Sequence, residues 1–317
     1  MILGADVGAT RTKLAVVEPE TLQLQERMVM PTPAGTSAHD FMLWLRESIE
    51  GLVRQHRVEC VGIGIAGFVT YEGVLVHSPN MPALQQLPLQ EWLSAELALP
   101  VVVENDANAA AWAEHRAGAA RGISDALYIT LGTGVGGALI LGGKLWRGAH
   151  GGAGEFGHMV VDITASGQTG MAPFRIGVLE EYVGQAALLR CAASVVRRYP
   201  ASVLASRPIT VESLADAYAA GDEAARECLT WVAWILGLGI VSAVALLDVE
   251  LIVLGGGLVE AFPGMLSVVE ATVRQRALPA VAYHVQLRRA HFGTWAGALG
   301  AALLAWERST SQGKPDA

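Results

Sequence analysis

Twice along this chain an apolar strand runs into a glycine-bearing turn and straight out into a second strand. The first case is Ile2-Leu3-Gly4-Ala5-Asp6, the turn within DVGATRTK, and then Leu14-Ala15-Val16-Val17; the second lies in DALYITLGTGVGGALILGGKLW from Asp125. Such a turn exposes backbone N–H groups that can surround a phosphate, and Asp6 at the strand end can hold Mg²⁺ through water. A plain β-hairpin is the equal alternative for the first turn taken alone. The second turn, Leu131 to Gly137, is not a dinucleotide fingerprint, which needs a helix after its glycines, and the lysine of a GxxxxGK[ST] loop is missing from it. A third cluster, Gly255-Gly256-Gly257, closes a strand ahead of a helix-like stretch, Leu258 to Phe262, where bare backbone can approach a flat ligand such as adenine.

The rest of the chain alternates strand and helix signals, which predicts an α/β fold. Phe41, Leu45, Ile49, Leu52 and Val53 share one face of a helix over 38–55, and strands follow at Val61–Gly67 and Val101–Val103. Ala107 to His115 is a strong helix former, several helices fall between Leu179 and Leu247, Leu251–Leu254 is a strand, and Thr294 to Arg308 reads as a helix. The similar strand pairs opening each half suggest a duplicated unit, with a boundary near Ser124.

Composition excludes several classes. Of 317 residues 52% are hydrophobic and 16% charged, enough apolar content to bury a large core, so disorder is excluded. Lys+Arg against Asp+Glu gives 22 − 30 = −8 without any basic run, which excludes a phosphate-backbone binder and so a nucleic-acid partner. Cys60, Cys191 and Cys228 fit no metal-ligand spacing and read as small buried hydrophobes of a reducing compartment, hence a cytoplasmic location. MILGADVGAT has no basic n-region and is not read as a signal peptide. The twenty uncharged residues Cys228–Leu247 are long enough to cross a bilayer. No basic cluster flanks them, they hold Gly237, Gly239 and Ser242, and they run into a strand, so a fully buried core helix is expected and no membrane partner.

Two polar clusters carry chemistry. Glu104-Asn105-Asp106-Ala107-Asn108 stands at the carboxyl end of a strand, where open α/β sheets place ligands. A helix N-cap accounts for Asn105 or Asp106, but less well for four polar side chains together, and a carboxylate there can take a proton from a hydroxyl. Gly151 to His158, GGAGEFGH, puts Glu155 and His158 three residues apart between glycines, so both can point to one side and meet vicinal hydroxyls of a sugar.

In this order the three turns, the END motif and GEFGH resemble the ROK family of sugar kinases, over Ile2 to about Ala305. The resemblance implies an actin-like ATPase (ribonuclease H-like) fold, with two domains flanking a cleft: 1–118 plus about 296–317, and 119–295. It implies ATP and Mg²⁺ as cofactors and transfer of the γ-phosphoryl group to the 6-hydroxyl of a hexose, glucose first. N-acetylmannosamine, N-acetylglucosamine, fructose and allose kinases share these motifs, and a catalytically silent sugar or nucleotide binder is the alternative. The residues it places on the nucleotide are Asp6, Gly8, Ala9, Thr10 and Lys13 of the first turn, Gly132, Thr133, Gly134 and Gly136 of the second, and Gly255, Gly256 and Gly257. Asp106 becomes the general base. Asn80, Asn105, Glu155, His158 and Glu180, the last from GVLEEYVG, join it on the sugar. Dimers are common in the family, so a homodimer is expected. Its regulators carry a DNA-binding helix-turn-helix ahead of the fold, for which a fold beginning at Ile2 leaves no room.

Departures from the family pattern are specific. The zinc motif CxCGxxGCxE is replaced by ASGQTGMAPFRIGVLE, Ala165 to Glu180, without a cysteine. His158 then lacks thiolate partners, so no structural zinc is expected, and packing of Met171, Phe174 and Ile176 is expected to hold the loop instead. Ala9 stands where a second glycine is common, and Ala83-Leu84 where glucokinases often carry Gly-Trp, in a segment expected to border the sugar.

Overall fold

The computed structural model describes residues 1–166 and 171–311. The chain begins with β1 (Ile2–Val7), β2 (Arg11–Val17), β3 (Leu24–Pro31), α1 (Ala38–His56) and β4 (Cys60–Ile65). Short strands β5 (Phe68–Val69), β6 (Leu75–His77) and β7 (Gln85–Leu87) precede α2 (Leu89–Leu97), β8 (Val101–Asn105) and α3 (Asp106–Ala117). Then come β9 (Ala126–Leu131), β10 (Val135–Leu141), β11 (Lys144–Trp146), α4 (Glu180–Val183), α5 (Gln185–Val196), α6 (Val211–Ala219) and α7 (Glu223–Leu247). The chain closes with β12 (Leu251–Gly255), α8 (Gly257–Ala261), α9 (Met265–Arg276), α10 (Pro279–His284), β13 (Gln286–Arg289) and α11 (Ala296–Ser311). Two five-stranded sheets have the orders β3-β2-β1-β4-β8 and β11-β10-β9-β12-β13, and β5, β6 and β7 form a third.

Contacts divide the chain into two compact units: 1–122 with 138–153 and 294–317, and 123–137 with 154–293. No linker marks the boundary in the sequence, which places 138–153 in the second unit; its contacts group it with the first.

In the first unit β1, β4 and β8 run parallel, with Asp6 level with Gly64 and Gly64 level with Glu104. The β1–β2 turn closes through the Gly8 amide donating to the Arg11 carbonyl at 3.1 Å. Helix α1 starts where Ser37 accepts from the Asp40 amide, and it buries Phe41, Leu45, Ile49 and Leu52. Helix α11 lies directly on sheet backbone. A Cβ at Gly4 would stand 1.8 Å from the Ala298 oxygen, one at Gly62 1.8 Å from the Ala301 oxygen, and one at Gly300 1.7 Å from the Ala109 oxygen. Glycine at these positions is a condition of the packing.

In the second unit β9, β12 and β13 are parallel. Helix α7 is capped by Asp222, which accepts from the Ala225 amide at 3.1 Å. It is not buried all round as expected: Trp231, Trp234 and Leu246 are exposed. Gly237 and Gly239 serve close packing, with an added Cβ 2.6 Å from Thr272 of α9 and 3.0 Å from Leu179. This helix is long and apolar enough to cross a membrane, yet most of its apolar surface packs inside the unit. Cys60, Cys191 and Cys228 are all free; Cys191 is only half-buried, against the expectation for all three.

Candidate functional site

In the first unit the site is built on the carboxyl ends of parallel strands. Asp6, one residue before the end of β1, pairs with Lys13 of β2 at 3.2 Å, while the Lys13 ammonium also donates to the Thr294 carbonyl at 2.8 Å. Burial pushes the Asp6 carboxyl above its ordinary value, and Lys13 opposes that shift. Gly297 of α11 leaves room for it, since a Cβ there would come within 2.9 Å of the Asp6 Cγ.

Asn105 does serve as an N-cap: its Oδ1 accepts from the Asn108 amide at 3.0 Å, and its Nδ2 donates to the Gly67 carbonyl at 3.0 Å. That second bond depends on Gly67, whose φ of 145° and 2.4 Å approach of a would-be Cβ to the His77 oxygen exclude a side chain. Asp106 is therefore the first residue of α3, held at the sheet's carboxyl edge. Gly64 lies between Asp106 and β1, with a Cβ position 3.6 Å from the Asp106 Cα, so nothing projects between the two acidic positions. Glu104 is buried. It accepts from the Asn105 amide at 2.9 Å and from Asn108 Nδ2 at 3.0 Å, and it pairs with Arg147 at 2.9 Å. Asn80 is exposed, in the turn that follows buried Ser78, whose hydroxyl donates to the Ala66 carbonyl at 2.7 Å. Leu84 is 1% exposed and belongs to the core, whereas Ala83 beside it is exposed.

In the second unit the glycine turn between β9 and β10 closes through the Gly132 amide donating to the Gly134 carbonyl at 3.0 Å. The Gln185 amide at the start of α5 donates to Gly132 at 3.1 Å. Glu180, first residue of α4, accepts the Val135 amide on Oε2 at 2.9 Å, and a Cβ at Gly134 would stand 2.3 Å from that oxygen. The turn and the carboxylate are thus one construction. Glu155 and His158 approach to 4.0 Å across a 3-10 turn, Phe156–His158. Partial burial pushes the Glu155 carboxyl up, His158 opposes, and the nearby charge of Glu180 adds to the rise.

Gly256 takes φ of 92° between β12 and α8, and a Cβ there would meet the Leu131 oxygen at 2.3 Å. With Gly257, Gly132 and Gln185 it stands near a cavity of about 480 Å³, which α6 completes through Val211, Glu212, Ala215 and Asp216. These α6 residues carry no motif.

The ROK family model matches residues 2–308. The chain belongs to the ROK family. Glucokinase of Streptomyces coelicolor is 36% identical over 81% of this chain and 82% of its own length. N-acetylmannosamine kinase of Escherichia fergusonii is 33% identical over 96% of this chain and 97% of its own. The crystal structure of a ROK glucokinase from Streptomyces griseus in complex with glucose and AMPPNP superposes with a TM-score of 0.82 at 32% identity, covering 96% of this chain and 99% of that one. The ROK chain accordingly has the actin-like ATPase fold.

The segment where this ROK chain lacks the cysteine motif is held differently from expectation. Met171 and Ile176 are half-buried, but Phe174 is 66% exposed with its ring centroid 6.1 Å from that of His158, so Phe174 does not anchor the segment as expected. Backbone and polar contacts do: the Val160–Val178 bridge, the Leu179 amide on Met159 at 2.8 Å, the Tyr182 hydroxyl on Asp162 at 2.6 Å, and Arg175 on Glu180 at 2.9 Å. Gly167–Gly170 lie outside the described residues, and among those described no three His, Cys, Asp or Glu side chains form a metal-holding group.

Proposed function

We propose that this ROK protein is an ATP-dependent hexose kinase that phosphorylates the 6-hydroxyl, with Asp106 as general base. The observation that carries the reading is the capped start of α3, which presents Asp106 at the carboxyl edge of the β1-β4-β8 sheet with Asn105 fixed beside it. Asp106 accepts the hydroxyl proton as the oxygen attacks the γ-phosphorus, the new O–P bond forms, and the bond to the β-phosphate oxygen breaks to release ADP. Asn80, Asn105, Glu155, His158 and Glu180 bind the sugar hydroxyls, so that binding energy is spent on orientation.

Ala9 and Thr10, with Thr133, Gly134 and Gly136, offer backbone donors to the phosphates, Gly8 and Gly132 shape the two turns that their own amides close, and Lys13 adds a positive charge. The cavity of about 480 Å³ beside Gly132 and Gly257 has the size of a small-ligand pocket and receives the adenosine. Magnesium fits Asp6, a buried carboxylate that one lysine only partly compensates; bound there with the phosphates, it would neutralise charge developing on the transferred group. No structural zinc is expected, because the segment Ala165 to Glu180 holds no cysteine.

Relatives bearing both the glucokinase and the N-acetylmannosamine kinase names make glucose and N-acetylmannosamine the first substrates to compare. ADP release with Mg-ATP across hexoses and N-acetylhexosamines, with and without a zinc chelator, tests the reading. One preferred sugar and indifference to chelation are expected, and the absence of sugar-dependent ADP would overturn it. We assign the enzyme to the cytoplasm as a homodimer, a state the exposed Trp231, Trp234 and Leu246 of α7 favour and light scattering would measure.

A further inference from the structure

Helix α4 is one turn long, four residues, too short to fix its own side chains. Its first residue, Glu180, nevertheless has both oxygens engaged: Oε2 accepts the Val135 amide at 2.9 Å, and Oε1 meets Arg175 Nη2 at 2.9 Å. Arg175 comes from the 3-10 turn Pro173–Arg175 and reaches Glu181 with the same guanidinium, Nε at 2.8 Å and Nη2 at 2.5 Å. Glu181 is in turn tied to α5, its carbonyl accepting from Arg190 at 2.9 Å. The turn itself is set by Gly177, whose φ of 72° and 2.2 Å Cβ approach to the Asp162 oxygen admit glycine alone.

We infer that Arg175 is a positioning residue for sugar recognition: its planar fork holds the Glu180 carboxylate in the orientation that substrate hydroxyls meet, and it orders the loop without a metal. The inference rests on the proposed role of Glu180. A carboxylate oxygen accepts more than one hydrogen bond, so each oxygen of Glu180 keeps capacity for a hydroxyl while the two existing bonds fix its plane. Two carboxylates bridged by one cation call for the fixed fork of arginine; the compact ammonium of lysine reaches one at a time. All three side chains are partly solvent-exposed, so the clamp weakens with salt.

The test measures sugar KM, ATP KM, kcat and the calorimetric sugar Kd for wild type, Arg175→Ala, Arg175→Lys and Arg190→Ala, using glucose and N-acetylmannosamine. Loss of one charged hydrogen bond predicts a rise of about tenfold in sugar KM and Kd for Arg175→Ala, and nearly as much for Arg175→Lys. ATP KM should stay within about twofold, a change well below the tenfold step of one such bond. Millimolar guanidinium should recover part of the loss in Arg175→Ala, and Arg190→Ala, which keeps the Glu180 contact, should match wild type. An unchanged sugar KM in Arg175→Ala, or an equal rise in Arg190→Ala, would overturn the inference. Absence of sugar-dependent ADP release by wild type would instead overturn the kinase reading, and the calorimetric Kd values would still decide the role of Arg175.

Discussion

Glu104 and Arg147 meet at 2.9 Å with 1% and 5% of their side chains exposed, an ion pair sealed beneath the strand end that carries Asn105 and Asp106. Glu104 also accepts from the Asn105 amide and from Asn108, while Arg147 donates to the Thr70 carbonyl at 3.1 Å and stacks 4.4 Å above the Tyr71 ring. Glu104 thus supports from below the strand end that carries Asp106. Removing one partner strands a buried charge, so Arg147→Met is expected to cost about 3–5 kcal/mol, and Glu104→Gln added to it should recover part of that. Urea unfolding of the two single variants and the double variant checks the coupling.

Asp106→Asn keeps the cap, because Asn105 and not Asp106 accepts from the Asn108 amide. Turnover should fall by about 10²-fold or more with the calorimetric sugar Kd little changed. Single-turnover ADP release at wild-type rates in this variant would remove Asp106 from the role of base.

Asp6 gives a pH dependence with a definite sign. Burial raises its carboxyl value in the folded chain, with Lys13 opposing. The folded state therefore holds the proton to higher pH than the unfolded state does, and stability is lost as pH rises from the ordinary carboxylate range through the raised value. Asp6→Asn should flatten that part of the Tm against pH profile and be at least as stable as wild type at neutral pH. Its ADP release should nevertheless collapse. A Tm deficit that grows with pH would contradict the burial account.

Two glycines of α11 separate packing from function. Gly300→Ala forces a methyl to 1.7 Å from the Ala109 oxygen, backbone against backbone, and should lower stability by about 1–3 kcal/mol or more. Gly297→Ala presses instead on the movable Asp6 side chain, its Cβ 2.9 Å from Cγ. Expected is a smaller shift in Tm together with a higher ATP KM, read from thermal melts and initial rates.

Gly134→Ala would place a methyl 2.3 Å from Glu180 Oε2. A substitution in a phosphate turn is thus expected to raise the sugar KM as well as the ATP KM. Initial rates varied in both substrates distinguish this from a nucleotide effect alone.

The elements legible in the sequence were those whose side chains carry their own periodicity. Helix α1 advertised its buried face, and β1, β4 and β8 read as apolar runs because parallel strands are covered on both sides. Strands β3 and β13 gave no such signal. LQERMVMP alternates at the edge of its sheet, and QLRR holds a single apolar residue, Leu287, so backbone pairing rather than burial defines both. Helix α7 misled through composition, since a run of uncharged residues does not say that one face will lie open around Trp231 and Trp234.

The α/β class and the acidic and glycine positions of the candidate site could be read locally, because strand ends, turns and caps each demand particular residue types. What holds those residues came from packing at a distance. Arg147 reaches Glu104 from 43 positions along the chain, Val135 reaches Glu180 from 45, and Gly297 makes room for Asp6 from 291. An ion pair, a backbone amide and a missing methyl leave no periodic trace in a sequence, since each acquires its partner only when distant segments pack.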